Sequence, residues 1–281
     1  MIKYYNIASV IIEIDSHDHI NLSRLFSFEC EPFLCPAVKV SIRQTCSFPL
    51  SEYHVVMEKD GAFVEFEDGR FGYIYHSEEG IPTAFYSSNK DWTQIDIGFT
   101  HQYNVNNYSI AELMLGMVFR SIILTQGGLI IHSSAISYCN FGLIFSAPAG
   151  TGKSTHTRLW ERIYKADIIN DDTPAIIPFG DEILVCGTPW SGSSDIFQNS
   201  QIPLKAIVVL SRGKGNSIRK LDIEGIVNIL LPRCLLPYYD KNLMFSALRN
   251  FETITTSVPV YHLECTPTIE AVDVLKAHLK I

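Results

Sequence analysis

The sequence predicts an α/β protein: a β-rich N-terminal region over residues 1–105, then a region over 106–281 in which strands and helices mix. Three observations predict it. Residues 54–76, "HVVMEKDGAFVEFEDGRFGYIYH", hold three short runs rich in Val, Phe and Tyr, separated by Asp60-Gly61 and Asp68-Gly69. A capped apolar helix begins at Ser109. After it, an apolar run, "GLIFS", feeds straight into the Gly-rich stretch "APAGTGKST" and a helical pattern. Regions that mix strands with helices form α/β layers.

Composition sets the bounds. The 281 residues are 47% apolar and 19% charged, enough for one large domain or two smaller ones with real cores. The net charge of −8 argues against general nucleic-acid binding, which needs a basic surface. Seven cysteines without small-domain spacing read as free thiols in a reducing cytoplasm. The start, "MIKYYNIASVIIEID", has no small-residue cleavage site, so no secretory leader is expected. The most apolar stretch, residues 111–136, is interrupted by Arg120 and Gln126 and broken at Gly127-Gly128. It reads as a core helix and a strand, not a membrane span.

The elements follow in order. Asp-Gly favours the positive-φ positions of a tight hairpin, so residues 54–76 read as a three-stranded meander. Nothing catalytic stands out before residue 106, and that region is expected to shield or shape a site. Ser109 and Glu112 form a capping box, and the helix they open should run to about Gln126 and stop at Gly127-Gly128. "LIIHSSAIS" then reads as one buried strand, a turn falls near Asn140, and "GLIFS" is the next strand. In the following helix Leu159, Trp160, Ile163 and Tyr164 share a face. Further strands are expected at "ADIIN", "PAIIP", "EILVCG", "LKAIVVL" and "VPVYHLEC". Helices are expected at about 222–231, 240–256 and 267–280, the last with Thr266 as cap and Pro267 in its first turn. "SRGKG" at 211–215 reads as a solvated hairpin tip.

The chemistry concentrates in the second region. Ala147 to Ser154 fit A-x-x-x-x-G-K-S in the strand–turn–helix context of a phosphate loop. Backbone N–H groups over Ala149, Gly150, Thr151, Gly152 and Lys153 can point into one concavity, and the helix N-terminus adds partial positive charge. Lys153 can bridge phosphates, and Ser154, with Thr155 beside it, can bind Mg²⁺. "ADIINDDTPAI" runs an apolar strand into Asp171-Asp172. One of these carboxylates can hold the metal through water and the other can take a proton from an attacking hydroxyl. Which does which stays open. His132, within an apolar run, is either a core residue or a site residue on position alone. "CGTPWSGSSD" puts Trp190, Ser191 and Gly192 in a loop suited to an acceptor or base pocket. Arg158 and Arg233 are candidate transition-state cations.

"IIHSSAI", "GLIFSAPAGTGKST" and "IINDDTPAI", in that order, resemble the C-terminal catalytic domain of HPr serine kinase/phosphorylase and its kinase-like relatives. That domain is similar in turn to the nucleotide-binding core of phosphoenolpyruvate carboxykinase. The resemblance covers about residues 106–265. It implies ATP and Mg²⁺ as cofactors: Gly150, Gly152 and Lys153 on phosphates, Ser154 on the metal, and metal and base roles for Asp171 and Asp172. It also implies His132 near the transferred phosphoryl group. "CGTPWSG" stands where HPr kinases carry a glycine-rich "RGxGIID" signature. With "PLKAIVVL" and "GNSIRKL" it looks like a subgroup of relatives, some of which phosphorylate peptide serines. The expected activity is transfer of the γ-phosphoryl group to a serine-like hydroxyl of a peptide or small molecule. The rivals are a nucleotide sensor without acceptor chemistry and a carboxykinase-like lyase. No guanine-selecting Asn-Lys-x-Asp string follows the loop, which disfavours a Ras-like GTPase. No nucleic-acid or membrane partner is expected, and an oligomer is left open.

Overall fold

A computed structural model describes residues 1–17, 19–45, 52–58, 61–77, 79–148 and 150–281. The chain is mixed α/β and divides into two compact units. One comprises Met1–Gln126 with Pro237–Met244, the other Gly127–Leu236 with Phe245–Ile281.

In the first unit, strands β1 (Ile2–Ile7), β2 (Val10–Ser16), β3 (Glu29–Cys30), β4 (Val38–Gln44), β5 (Tyr53–Glu58), β6 (Ala62–Phe66), β7 (Phe71–His76), β8 (Pro82–Ser88) and β9 (Gln94–Phe99) form one sheet. Their order is β3-β1-β2-β4-β9-β8-β7-β6-β5. The meander is present: β5, β6 and β7 pair antiparallel in sequence. Gly69 takes the left-handed conformation the second Asp-Gly turn requires, with φ +79. Asp60, from the first such pair, lies outside the described residues. After the short pair β10 (Asn104–Val105) and β11 (Tyr108–Ser109) comes α1 (Ile110–Thr125). Its capping box is complete: the Ser109 hydroxyl accepts from the Glu112 N–H, and the Glu112 carboxylate accepts from the Ser109 N–H. The helix is buried along nearly its whole length against β8 and β9 and ends before Gly127, φ +82.

In the second unit, β12 (Leu129–Ile130), β13 (Ser133–Tyr138), β14 (Phe141–Ser146), β15 (Asp167–Asn170), β16 (Ala175–Phe179), β17 (Glu182–Cys186) and β18 (Gln201–Arg212) run in the order β12-β16-β17-β18-β14-β13-β15. β20 (Val260–Cys265) pairs with β18 and with β19 (Ser217–Lys220). β14, β18 and β20 are mutually parallel. Helices α2 (Lys153–Tyr164), α3 (Ile223–Ile229) and α5 (Ile269–Leu279) belong to this unit, as does α4 (Lys241–Ser257) from Phe245 onward. A core of Phe145, Trp160, Val208, Leu263 and Leu275 joins the central strands to α2 and α5.

Four sequence expectations are corrected. "LIIHSSAIS" is two strands, because Ile131 bridges to Cys234, the His132 N–H donates to the Arg233 carbonyl, and β12 and β13 pair with different neighbours. Residues 211–215 are not a hairpin tip. β18 and the unanticipated β19 lie on opposite edges of β20, so the loop crosses over that strand's end. The buried face of α2 is His156, Thr157 and Trp160, and Ile163 is exposed. Thr268, not Thr266, occupies the cap position of α5; the N–H and hydroxyl of Thr266 donate to Asn216 Oδ1 instead.

Candidate functional site

β14 carries the chain to Ala147, and α2 starts at Lys153 directly after Gly152. Gly150 and Gly152 both lie in the left-handed region, at φ +71 and +115, and a Cβ added to either would meet no atom within 4 Å. The turn therefore faces open space, and only glycine takes these two conformations without strain. Gly152 caps α2 with no side-chain hydrogen bond, which leaves first-turn N–H groups available to an anion. The carbonyl of Gly150 accepts from the Arg212 guanidinium, and Thr151 donates its N–H to the Pro148 carbonyl. Ser154 and Thr155 are exposed, and Thr151 and Gly152 are half-buried. Ala149 lies outside the described residues.

Lys153 does not point into solvent; its side chain is 13% exposed. Its Nζ lies 3.1 Å from His132 Nε2 and 3.6 Å from Asp172 Oδ1. His132 Nδ1 lies 3.1 Å from the same Asp172 oxygen. An imidazole protonated on Nδ1 satisfies both contacts, donating to Asp172 and accepting from Lys153. Burial pushes the Lys153 ammonium below its usual pKa, and the Arg233 charge adds to this against the opposing pull of Asp172 and Asp171. Burial alone would raise Asp172, but the hydrogen bond from His132 and the Lys153 charge outweigh it and hold the carboxyl below its usual value.

Asp171 faces the other way. Its carboxylate accepts from the Gly192 N–H at 2.6 Å and the Ser194 N–H at 3.2 Å. Just before it, the fully buried Asn170 acts as a hub. Its Nδ2 donates to the carbonyls of Thr188 and Trp190, and its Oδ1 accepts from the N–H groups of Asp172 and Thr173. Trp190 is buried, and its carbonyl also accepts from the hydroxyls of Thr173 and Thr188. The Ser191 hydroxyl donates to Asp195.

No family model matches the chain, and no curated protein matches it. Among solved structures, the Hpr(Ser) kinase/phosphatase from Coxiella burnetii is similar at 11% identity and a TM-score of 0.32, over 53% of this chain and 95% of that one.

The residues singled out from sequence are distributed unevenly. Lys153, His132 and Asp172 come together, and Asp171 and Gly192 adjoin them. Arg233 sits on a short 3₁₀ turn, Leu231–Arg233, and its charge acts on Lys153. Its Nε is buried without a hydrogen-bond partner among the described residues. Arg158 is exposed on α2, and no hydrogen bond or ion pair among the described residues ties it to Lys153 or Asp172. Asn170, Thr188 and Ser134, whose hydroxyl donates to the Asp171 carbonyl, were not anticipated. The one available signal was an Asn placed among apolar residues at a strand's end, just before the acidic pair.

Proposed function

We propose that the second unit binds Mg·ATP at residues 150–155 and transfers the γ-phosphoryl group to a hydroxyl of a peptide or small molecule. One observation carries this reading. Lys153 is the first residue of a helix set by a left-handed glycine, and it is held inward against the Asp172–His132 pair beside an open turn. Phosphate oxygens fit that turn: the first-turn N–H groups of α2 lack a side-chain cap, and a Cβ built at Gly150 or Gly152 would meet no atom within 4 Å.

Mg²⁺ fits less completely but adequately. Among the described residues no group of three or more His, Cys, Asp or Glu converges. Mg²⁺ bound with phosphates keeps several waters and needs only one or two protein oxygens. The Ser154 hydroxyl and, through water, Asp172 would hold it, and it would supply neutralisation of phosphate charge. The chain's own residues do the rest. Loop amides and Lys153 hold the phosphates, and His132 fixes the orientation of Asp172. Asp172, ionised at neutral pH, takes the acceptor proton as the acceptor oxygen bonds to phosphorus and the bond to the ADP oxygen breaks. Positioning and fixed charge supply most of the rate in such a reaction.

Calorimetry of Mg·ATP binding, followed by mass spectrometry of peptides and metabolites for added phosphate, tests the reading. Wild type binds and labels an acceptor. Lys153→Ala loses binding, and Asp172→Asn keeps nucleotide binding but loses its gain on adding Mg²⁺, while transfer falls about 10²-fold or more. Binding without any labelled acceptor supports a nucleotide sensor instead, and no binding overturns the proposal.

A further inference from the structure

Two adjacent carboxylates beside a phosphate loop invite the assumption that both serve the metal and the proton. The geometry points elsewhere. We propose that Asp171 is a positioning residue: it clamps the Gly192–Asp195 turn against Asp172 and leaves Asp172 as the one carboxylate of the pair that serves the phosphates. The role given to Asp172 rests on the reading above.

Both oxygens of Asp171 are engaged, Oδ1 by the Gly192 N–H at 2.6 Å and Oδ2 by the Ser194 N–H at 3.2 Å. Backbone donors on an ionised acceptor make strong, directional bonds. The backbone of Asp171 is tied as well: its N–H donates to the Ile196 carbonyl and its carbonyl accepts from the Ser134 hydroxyl. The turn closes on itself through the Asp195 N–H to the Gly192 carbonyl, and the Ser191 hydroxyl donates to Asp195. Gly192 is pressed onto the acidic pair: a methyl there would lie 3.2 Å from Asp172 Cβ and 3.3 Å from Asp171 Oδ2. A side chain would crowd Asp172, so the turn is both held close and kept bare at the point of contact. Asp172 shows the opposite pattern, with Oδ1 turned to His132 and Lys153.

Amide hydrogen exchange on the full-length wild type tests the clamp directly. Gly192 and Ser194 should exchange about tenfold or more slowly than Ser193 between them; Asp171→Asn, which keeps one of the two acceptor oxygens, should remove that difference at one of the two amides, and Asp171→Ala at both. Mg·ATP calorimetry and the rate of γ-phosphoryl transfer from ATP to water, with release of ADP, test the positioning role. Asp171→Asn should keep the affinity, and its gain on adding Mg²⁺, within about threefold, while turnover falls about tenfold. A merely structural lesion would not split turnover from affinity in this way. Equal exchange at 192, 193 and 194 in the wild type overturns the clamp. Loss of the Mg²⁺-dependent gain in Asp171→Asn makes Asp171 a metal ligand and overturns the proposal, as does unchanged turnover. If wild type binds no Mg·ATP, the functional reading fails, and the exchange contrast still decides the clamp.

Discussion

His156 lies in the first turn of α2, 3% exposed, its ring edge-on to Phe145, and its Nε2 accepts from the Trp160 indole at 3.3 Å. Burial pushes its pKa down to about 4 from an ordinary 6.5. Between those values the unfolded chain binds a proton that the folded chain refuses. Stability from the neutral ring is therefore complete above about pH 6.5 and lost progressively down to about pH 4, at most about 3 kcal/mol in all. The melting temperature of wild type should fall more steeply from pH 7 to pH 4.5 than that of His156→Gln, and parallel curves would refute the assignment. At this scale the sequence was most informative where spacing carries the chemistry. Lys153 follows Gly152 in the loop pattern, and Asp172 follows the end of β15 by two residues, so both positions were legible. The different hydrogen-bond partners of Asp171 and Asp172 were not, because those of Asp171 come from residues 192–194, some twenty positions away. Arg212 likewise meets Gly150 only through the pairing of β18 with β14.

Local signals were legible at α1 and at the β13–β14 turn but not at α5, whose cap is Thr268 rather than Thr266, and the features set by distant partners were not legible. The capping box at Ser109 needs only residues 109–112, and it is present. Its worth can be measured: the Ser109 hydroxyl accepts from the Glu112 N–H and donates to the Asn21 carbonyl. Ser109→Ala should cost about 1–2 kcal/mol, read as a lower urea midpoint at unchanged slope. The tight turn between β13 and β14 was also local. Cys139 and Asn140 take φ +50 and +63, the paired positive values of a two-residue hairpin. The break at His132 had no local cause. Nothing in "LIIHSSAIS" interrupts a strand; the interruption comes from Arg233 and Asp172, whose carbonyls accept the N–H groups of His132 and Ser133. That same break turns His132 toward Lys153, so the unforeseen feature is the one that builds the site.

The strand order of the second unit decides where a ligand can act. β14, β18 and β20 are parallel, so the loops leaving them gather at one edge, where open α/β sheets bind ligands. Those loops are laced together: Arg212 to the Gly150 carbonyl, the Gly213 N–H to the Cys265 carbonyl, and Thr266 to Asn216. A ligand at this edge stabilises the elements that form it by mass action, about 2.7 kcal/mol at a hundredfold excess over Kd. Trp160 reports on that unit through the core it shares with Phe145 and Val208. Trp92, buried in the first unit, reports on a core that contains none of the loop residues. Fluorescence-detected melting of variants that retain a single tryptophan separates the two. With saturating Mg·ATP the Trp160 transition should rise by several degrees and the Trp92 transition should stay. A rise confined to Trp92 would put the nucleotide in the wrong unit. Equal rises in both would mean that the two units unfold as one, and the site would then have to be located by the Lys153→Ala variant, which should abolish the shift.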